Sequence, residues 1–525
     1  MFLDSGRVRK LLAGGDADER PDLSSGPARS HPSNAPIEDK TVQDIAFWSA
    51  KRLAGHLRRR KIGCLELLDH YLKRVERYNP RLNAIIATDI DGARKRARAA
   101  DRALAKGEVW GPLHGVPMTI KESYDVVGLP TTWGMPELKA NIATRNALAV
   151  DRMLGAGVVL FGKTNVPLML ADWQSYNAIY GTTNNPWDLR LSPGGSSGGS
   201  AAALAAGLTG VDAGSDIGSS IRNPAHFCGV FGHKPTYGVC PPRGHALPGR
   251  VSATDISVIG PLARSAEDLD IALAAMAGPD DIEAAGVRLA LPAPRKKTLR
   301  EFKVAVMLDD PNAEVDRGVQ DRIQALADFL ARKKAKVSDR ARPDIDTTHL
   351  NRTFIALLRA ATAGRLSPEA FKRDLEAART LRPDDQSYFA RMARANVMHH
   401  KDWLAYNEER HRLRLKWAEF FKEYDLLLCP AASSAACPHD HAGERYERTI
   451  KVNGKMVPAT DQLFWAGYSG LVYLPSTVAP IGFTQEGLPV GIQIIGPQYH
   501  DRACIGFAGL IEQEFQAFVP PPGYE

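Results

Sequence analysis

Apolar side chains recur along this chain with two distinct spacings. Leu67, Leu68, Tyr71, Leu72 and Val75 return every three or four positions, the spacing of one buried helical face. The pattern predicts a helix through Val75 and Glu76 that Asn79-Pro80 ends, because a residue before proline avoids helical geometry. Ala93 to Lys106 is alanine-rich and reads as a second helix. Short unbroken apolar runs read as buried strands: Val116 to Ile120, ending at Lys121; Val158 to Phe161; Phe302 to Met307; Asp425 to Pro430; and Val490 to Gly496. Ser200 to Leu208 is mostly alanine and suits a helix packed closely on its neighbours. Residues 314 to 422 are strongly helical and charged. Alternating strands and helices predict an α/β fold, and strand-like segments at both ends predict one large sheet.

Residues 1–40 are rich in Gly, Ser, Pro, Asp and Arg and are expected to form a flexible N-terminal extension. Residues 41–525 then form a single large domain with a helical insertion at about 314–422. Leu291 to Lys297 reads as an exposed linker.

Composition narrows the class. The 525 residues are 44% hydrophobic and 24% charged, ordinary for a soluble globular protein. The net charge of +7 is modest and its cations are spread out. The densest run, Arg58 to Lys61, reads as a solvated helix end and not as a nucleic-acid patch. Six scattered cysteines fit reduced thiols in a cytosolic protein. Met1-Phe2-Leu3 runs directly into Asp4, without a secretory apolar segment, and no apolar run has membrane-spanning length. A soluble, cytoplasmic protein is expected, without nucleic-acid or membrane partners; a homodimer stays open.

The chemistry concentrates in two blocks, Gly194-Gly195-Ser196-Ser197-Gly198-Gly199-Ser200 and Ser215-Asp216-Ile217-Gly218-Ser219-Ser220-Ile221-Arg222-Asn223-Pro224. A serine hydroxyl is a poor nucleophile until something takes its proton. Lys121 closes an apolar strand, so burial can lower its pKa and make it a base. Glycines let a reacting carbonyl approach the backbone, and the consecutive N–H groups of Ile217, Gly218, Ser219 and Ser220 suit an oxyanion hole. The combination points to acyl transfer with lysine as the ultimate base. Three rivals fit less well. Gly194-Gly195-Ser196-Ser197-Gly198 matches the G-x-S-x-G elbow of α/β-hydrolases, but Leu189 to Pro193 is a poor strand to precede it. Cys437, His439 and His441 are metal-binding residue types, but lie in a polar loop with no second cluster. An anion cradle would lack the Gly-Lys-Ser/Thr ending of a phosphate loop.

From about residue 45 to 515 the chain resembles the amidase signature family. The resemblance rests on Gly115-Val116-Pro117 before Lys121, Gly162-Lys163-Thr164-Asn165, Asn185-Pro186-Trp187-Asp188, the serine–glycine blocks, Phe227 to Thr236, and Gly487 to Gln493. It implies a large mixed β-sheet with helices on both faces and a Ser–cisSer–Lys triad. In that triad Ser220 is the nucleophile, Ser196 the bridging serine behind a cis peptide bond, and Lys121 the base. It further implies an oxyanion hole from the backbone of Ile217, Gly218 and Ser219, and a carbonyl of Leu170 that orients the substrate amide. No metal and no organic cofactor are implied. The chain departs from the family at Ser219, where glycine is usual, at Glu122, where Asp is commoner, and at His233, read as structural.

The expected activity is hydrolysis of a small-molecule amide through an acyl-enzyme, with preference for aryl or bulky amides, anilides or carbamates. Trp133, Trp173, Tyr176, Tyr180, Trp465 and Tyr468 are the candidate pocket aromatics. The alternatives are a glutaminase-type subunit of a tRNA amidotransferase and a non-catalytic binding protein on the same fold.

Overall fold

The structure, a computed structural model, describes residues 44–525; the expected extension at 1–40 lies outside the described residues. Among the described residues eight strands form a mixed sheet in the order Lys336–Ser338, Lys303–Val306, Leu426–Pro430, Pro489–Ile495, Ser476–Phe483, Phe231–Lys234, Val258–Ala263 and Asp212–Asp216. Two of its pairings are parallel, those of Lys303–Val306 with either neighbour, and the others are antiparallel. A second sheet holds Ile85–Thr88, Val159–Thr164 and Pro117–Lys121. A parallel bridge from Met118 to Val211 joins it to the Asp212 edge of the large sheet. Every strand read from an unbroken apolar run is present within a residue or three of its expected ends. Full burial of these strands accounts for their lack of alternation.

The first long helix, Cys64–Leu82, buries Leu67, Leu68, Tyr71 and Val75 and half-buries Leu72. It does not stop at Asn79-Pro80 as expected. Pro80 lies in its last turn, where losing one N–H costs a single hydrogen bond. The buried Asn79 side chain then fastens the exit: its Oδ1 accepts the N–H groups of Ala84 and Ile85, both at 2.9 Å, and its Nδ2 donates to the Ile85 carbonyl at 2.8 Å. Arg58 to Lys61 are exposed between this helix and the preceding one, Ala50–Arg58.

The alanine-rich helix Gly198–Ala205 is buried at every position. The glycines before it are required by close backbone approach. Gly194 has φ +83°, and a Cβ on Gly195 would sit 2.4 Å from the Asp172 carbonyl oxygen. Residues 314–422 carry the helices Arg317–Arg332, Thr347–Ala363, Pro368–Thr380, Tyr388–Asn396 and His400–Phe420, together with the outermost strand of the large sheet. The six cysteines form no disulfide. Among the described residues no helix is long and apolar enough to cross a membrane.

Candidate active site

The strand Pro117–Lys121 lies parallel to Val159–Thr164, with Lys121 paired to Thr164 at its end. The register leaves the lysine side chain fully buried among hydroxyls. Its Nζ lies 2.6 Å from Ser196 Oγ, 2.9 Å from Ser197 Oγ and 2.9 Å from Ser215 Oγ. Among the described residues no carboxylate is within ion-pair distance. Burial lowers the Lys121 pKa to about 7, assisted by Arg365 and opposed by Asp216 and Asp212. Near neutral pH the amine is therefore substantially unprotonated, and a neutral amine can accept the Ser196 proton. The Gly195–Ser196 peptide bond is cis.

Asp216 ends the edge strand Asp212–Asp216, and the chain turns around its carboxylate. Oδ1 accepts the Ser219 N–H at 2.9 Å, and Oδ2 accepts those of Ile221 and Arg222 at 3.1 and 3.3 Å. The Arg222 guanidinium closes the ring, Nη2 at 2.8 Å from Oδ1 and Nε at 3.0 Å from Oδ2. Both side chains are wholly buried. Burial opposes ionisation of Asp216, but Arg222 beside it holds the carboxyl below its ordinary pKa. Arg222 Nη1 donates onward to the Ala466 carbonyl, Ser469 Oγ and Gln493 Oε1. The turn is thus tied to the centre of the large sheet.

Ser219 and Ser220 differ sharply within this turn. Ser220 lines a cavity of about 520 Å³. Ser219 does not, and its hydroxyl is buried without a partner among the described residues. Ser219 adopts φ +73°, the left-handed region where glycine is usual. Its backbone corrects one expectation. The Ser219 N–H is committed to Asp216, and the Gly218 carbonyl accepts from Trp173 Nε1 at 2.6 Å. Both ends of that peptide are occupied, so Ser219 is not a free oxyanion donor. The N–H groups of Ile217, Gly218 and Ser220 have no partner among the described residues. Ser220 Oγ makes no hydrogen bond to Ser196, though the Ser220 carbonyl accepts the Ser197 N–H at 3.1 Å.

Leu170 lines the same cavity at φ +56°, following Met169 at φ +55°. Of the six candidate aromatics only Trp173 reaches the cavity wall. Trp465 and Tyr468 are buried in the core, Trp133 packs on His245, and Tyr176 stacks on His441; Tyr180 also lies away from the wall. Nearness to a motif along the chain did not translate into nearness in space. The apolar wall is built instead by Leu170, Ile217, Phe227, Ile450 and Leu463. The wall also carries residues that the sequence reading missed or assigned otherwise: Arg359, Arg365, Arg445, Arg448, and His439, whose ring nitrogens both lack partners among the described residues. No local spacing marks these arginines, because they reach the cavity from segments far apart in sequence. Among the described residues no group of three or more His, Cys, Asp or Glu is arranged to hold a metal ion.

The departures from the family pattern are structural in effect. Glu122 is buried and accepts the N–H groups of Thr132 and Trp133 at 2.5 and 2.9 Å. His233 is buried between Thr477 Oγ1 at 2.9 Å and Asp501 at 3.1 Å.

Known proteins place this arrangement. The family model described as Amidase matches residues 66–505, and the chain belongs to that family. It is 33% identical to an indoleacetamide hydrolase of Bradyrhizobium diazoefficiens over 479 residues, 89% of this chain and 86% of that protein. It is 31% identical to a glutamyl-tRNA(Gln) amidotransferase subunit of Synechococcus sp., over 92% of this chain and 99% of that one. A bacterial aryl acylamidase of the amidase signature family shares the fold, with a TM-score of 0.75 at 24% identity, covering 89% of this chain and 96% of that one. The protein is an amidase, a hydrolase of carbon–nitrogen bonds in linear amides.

Replacing Ser219 by glycine removes both a left-handed side chain and an unpartnered buried hydroxyl. Ser219→Gly is expected to raise stability by roughly 1 kcal/mol, read as a higher urea midpoint with an unchanged m-value.

Proposed function

We propose that Ser220 attacks the substrate carbonyl, that Ser196 relays its proton to neutral Lys121, and that the amide is cleaved through an acyl-enzyme on Ser220. The observation that carries this reading is the buried, carboxylate-free lysine with Ser196 Oγ at 2.6 Å. Ser220 Oγ transfers its proton to Ser196 as it bonds to the carbonyl carbon, and Ser196 passes its own to Lys121. The Ile217, Gly218 and Ser220 N–H groups hold the resulting oxyanion. Collapse of the tetrahedral species breaks the C–N bond, and the relay returns a proton to the departing amine. Water then attacks the ester by the reverse route, releasing the carboxylate. The Leu170 carbonyl orients the scissile amide. We assign this chemistry to one domain, residues 41–525, since the cavity wall draws on segments from Leu170 to Leu463 and the turn is tied as far as Gln493. We place it in the cytoplasm, without a cofactor.

The substrate is a bulky or aryl amide. A cavity of about 520 Å³ whose wall includes Leu170, Ile217, Phe227, Ile450 and Leu463 far exceeds what a two-carbon amide fills, and burying an aromatic acyl group there is favourable. The name of the indoleacetamide hydrolase is in keeping with this class. The similarity to an amidotransferase subunit favours a second reading, a glutaminase that works with partner subunits. It differs in one observable: glutamine hydrolysis would rise only when those subunits are added.

Labelling with a serine-reactive fluorophosphonate and peptide mapping should put the adduct on Ser220. Lys121→Ala should suppress the adduct and lower kcat by at least about a hundredfold. An adduct on Ser196 or Ser197 that survives the lysine change would overturn the mechanism.

The pH dependence has a definite sign. Lys121 works unprotonated and its pKa is lowered to about 7, so kcat/KM should rise with pH through about 7 and then level. A profile that stays flat down to pH 5 would contradict a lysine base.

In a panel of acetamide, benzamide and an anilide, acetamide should have the lowest kcat/KM. Equal or better turnover of acetamide would sink the bulky-substrate reading.

A further inference from the structure

The cavity that holds Ser220 is charged as well as apolar. Among the described residues five cations line it, Arg359, Arg365, Arg445, Arg448 and Lys451, against two carboxylates, Asp172 and Asp440. Asp172 is taken by Arg448 at 2.7 Å. Asp440 makes no ion pair among the described residues; its Oδ1 accepts the Ala442 N–H at 3.1 Å.

Three of the arginines, Arg359, Arg365 and Arg445, form no ion pair with a carboxylate among the described residues. Arg359 Nε meets only the Tyr388 hydroxyl, at 2.9 Å. Arg365 stands over the Trp133 ring at 5.1 Å, and its Nη1 reaches the Met169 carbonyl at 3.5 Å, beside Leu170. It lines a second cavity of about 230 Å³ as well. Arg445 is exposed and makes no hydrogen bond or ion pair among the described residues; Arg359 repels it and Asp172 attracts it. Burial lowers the Arg365 pKa to about 10, so it is still charged at neutral pH.

Guanidinium groups that outnumber the carboxylates beside them repel one another, the more so where they are half-buried, as Arg359 and Arg365 are. An arriving anion relieves that cost, and the guanidinium fork matches a carboxylate with two parallel hydrogen bonds. We propose that this amidase takes amides that also carry a carboxylate, which Arg365, Arg445 and Arg359 bind while the apolar wall holds the rest of the molecule. The proposal rests on the assignment of Ser220 and its cavity as the amidase site and names the substrate class of that site.

The test separates binding from turnover. Ser220→Ala protein is titrated calorimetrically with two matched pairs. Succinanilate against butyranilide puts the charge on the acyl side. 4-Acetamidobenzoate against 4-methylacetanilide puts it on the amine side. In at least one pair the carboxylate form should bind at least about tenfold more tightly, with a gap that narrows as salt is raised. The gap should close in Arg365→Gln/Arg445→Gln and persist in part in Arg365→Lys, which keeps the charge without the fork. Equal affinities within both pairs, or a gap that survives the double substitution, would overturn the proposal. Aniline release by the wild-type enzyme is read separately. Release from butyranilide with no carboxylate preference in binding leaves the amidase assignment standing and removes this inference alone. Tighter carboxylate binding without any hydrolysis supports the anion site and contradicts the assignment of the mechanism.

Discussion

The site depends first on the buried pair of Asp216 and Arg222. One carboxylate gathers three backbone N–H groups and a bidentate guanidinium, and so sets the turn that presents Ser220. Such a pair is costly to desolvate, and it persists only where the geometry is good and the remaining hydrogen-bonding groups are satisfied. Arg222 meets that condition through Ala466, Ser469 and Gln493. The pair therefore does more than hold a loop. It decides which backbone donors are spent internally and which face the cavity, and it commits Ser219 while leaving Ser220 exposed to substrate.

Lys121 is the complementary case, a buried cation kept without a carboxylate partner. A paired ammonium would be held in its charged form and could not accept a proton. Three hydroxyls within 2.9 Å solvate the amine without fixing its charge. Its poise near neutrality follows from depth in the sheet, where Met118 bridges the two sheets and the strand end is fully covered. Strand register and proton chemistry are in this sense one constraint.

The cavity adds a third electrostatic pattern. Near the serine the wall is apolar and the free donors are backbone amides. Guanidinium groups from the helical region and from the 445–448 segment also line it and outnumber the carboxylates. Such a wall offers a substrate apolar contact and fixed charge together, and contacts away from the reacting atoms can serve orientation at the reacting centre.

Much of this was legible in the chain. Unbroken apolar runs located the buried strands, and the position of Lys121 at the end of one implied its burial. The glycine–serine blocks showed where the backbone had to approach closely, because a small residue is needed wherever a Cβ would collide, as at Gly195. Other features had no local signature. The helix passed through Asn79-Pro80 because Pro80 falls in its last turn and the buried Asn79 side chain secures the exit. The N–H of Ser219 was spent on a carboxylate three residues earlier. Trp465 and Tyr468 went to the core, while Arg359, Arg365 and Arg445 arrived from segments up to 86 residues apart. By itself the sequence determined the strands, the buried lysine and the serine blocks, since those depend on residue type and short-range spacing. Only the tertiary structure decided which groups share the cavity and which donors stay free, because both depend on contacts between distant segments.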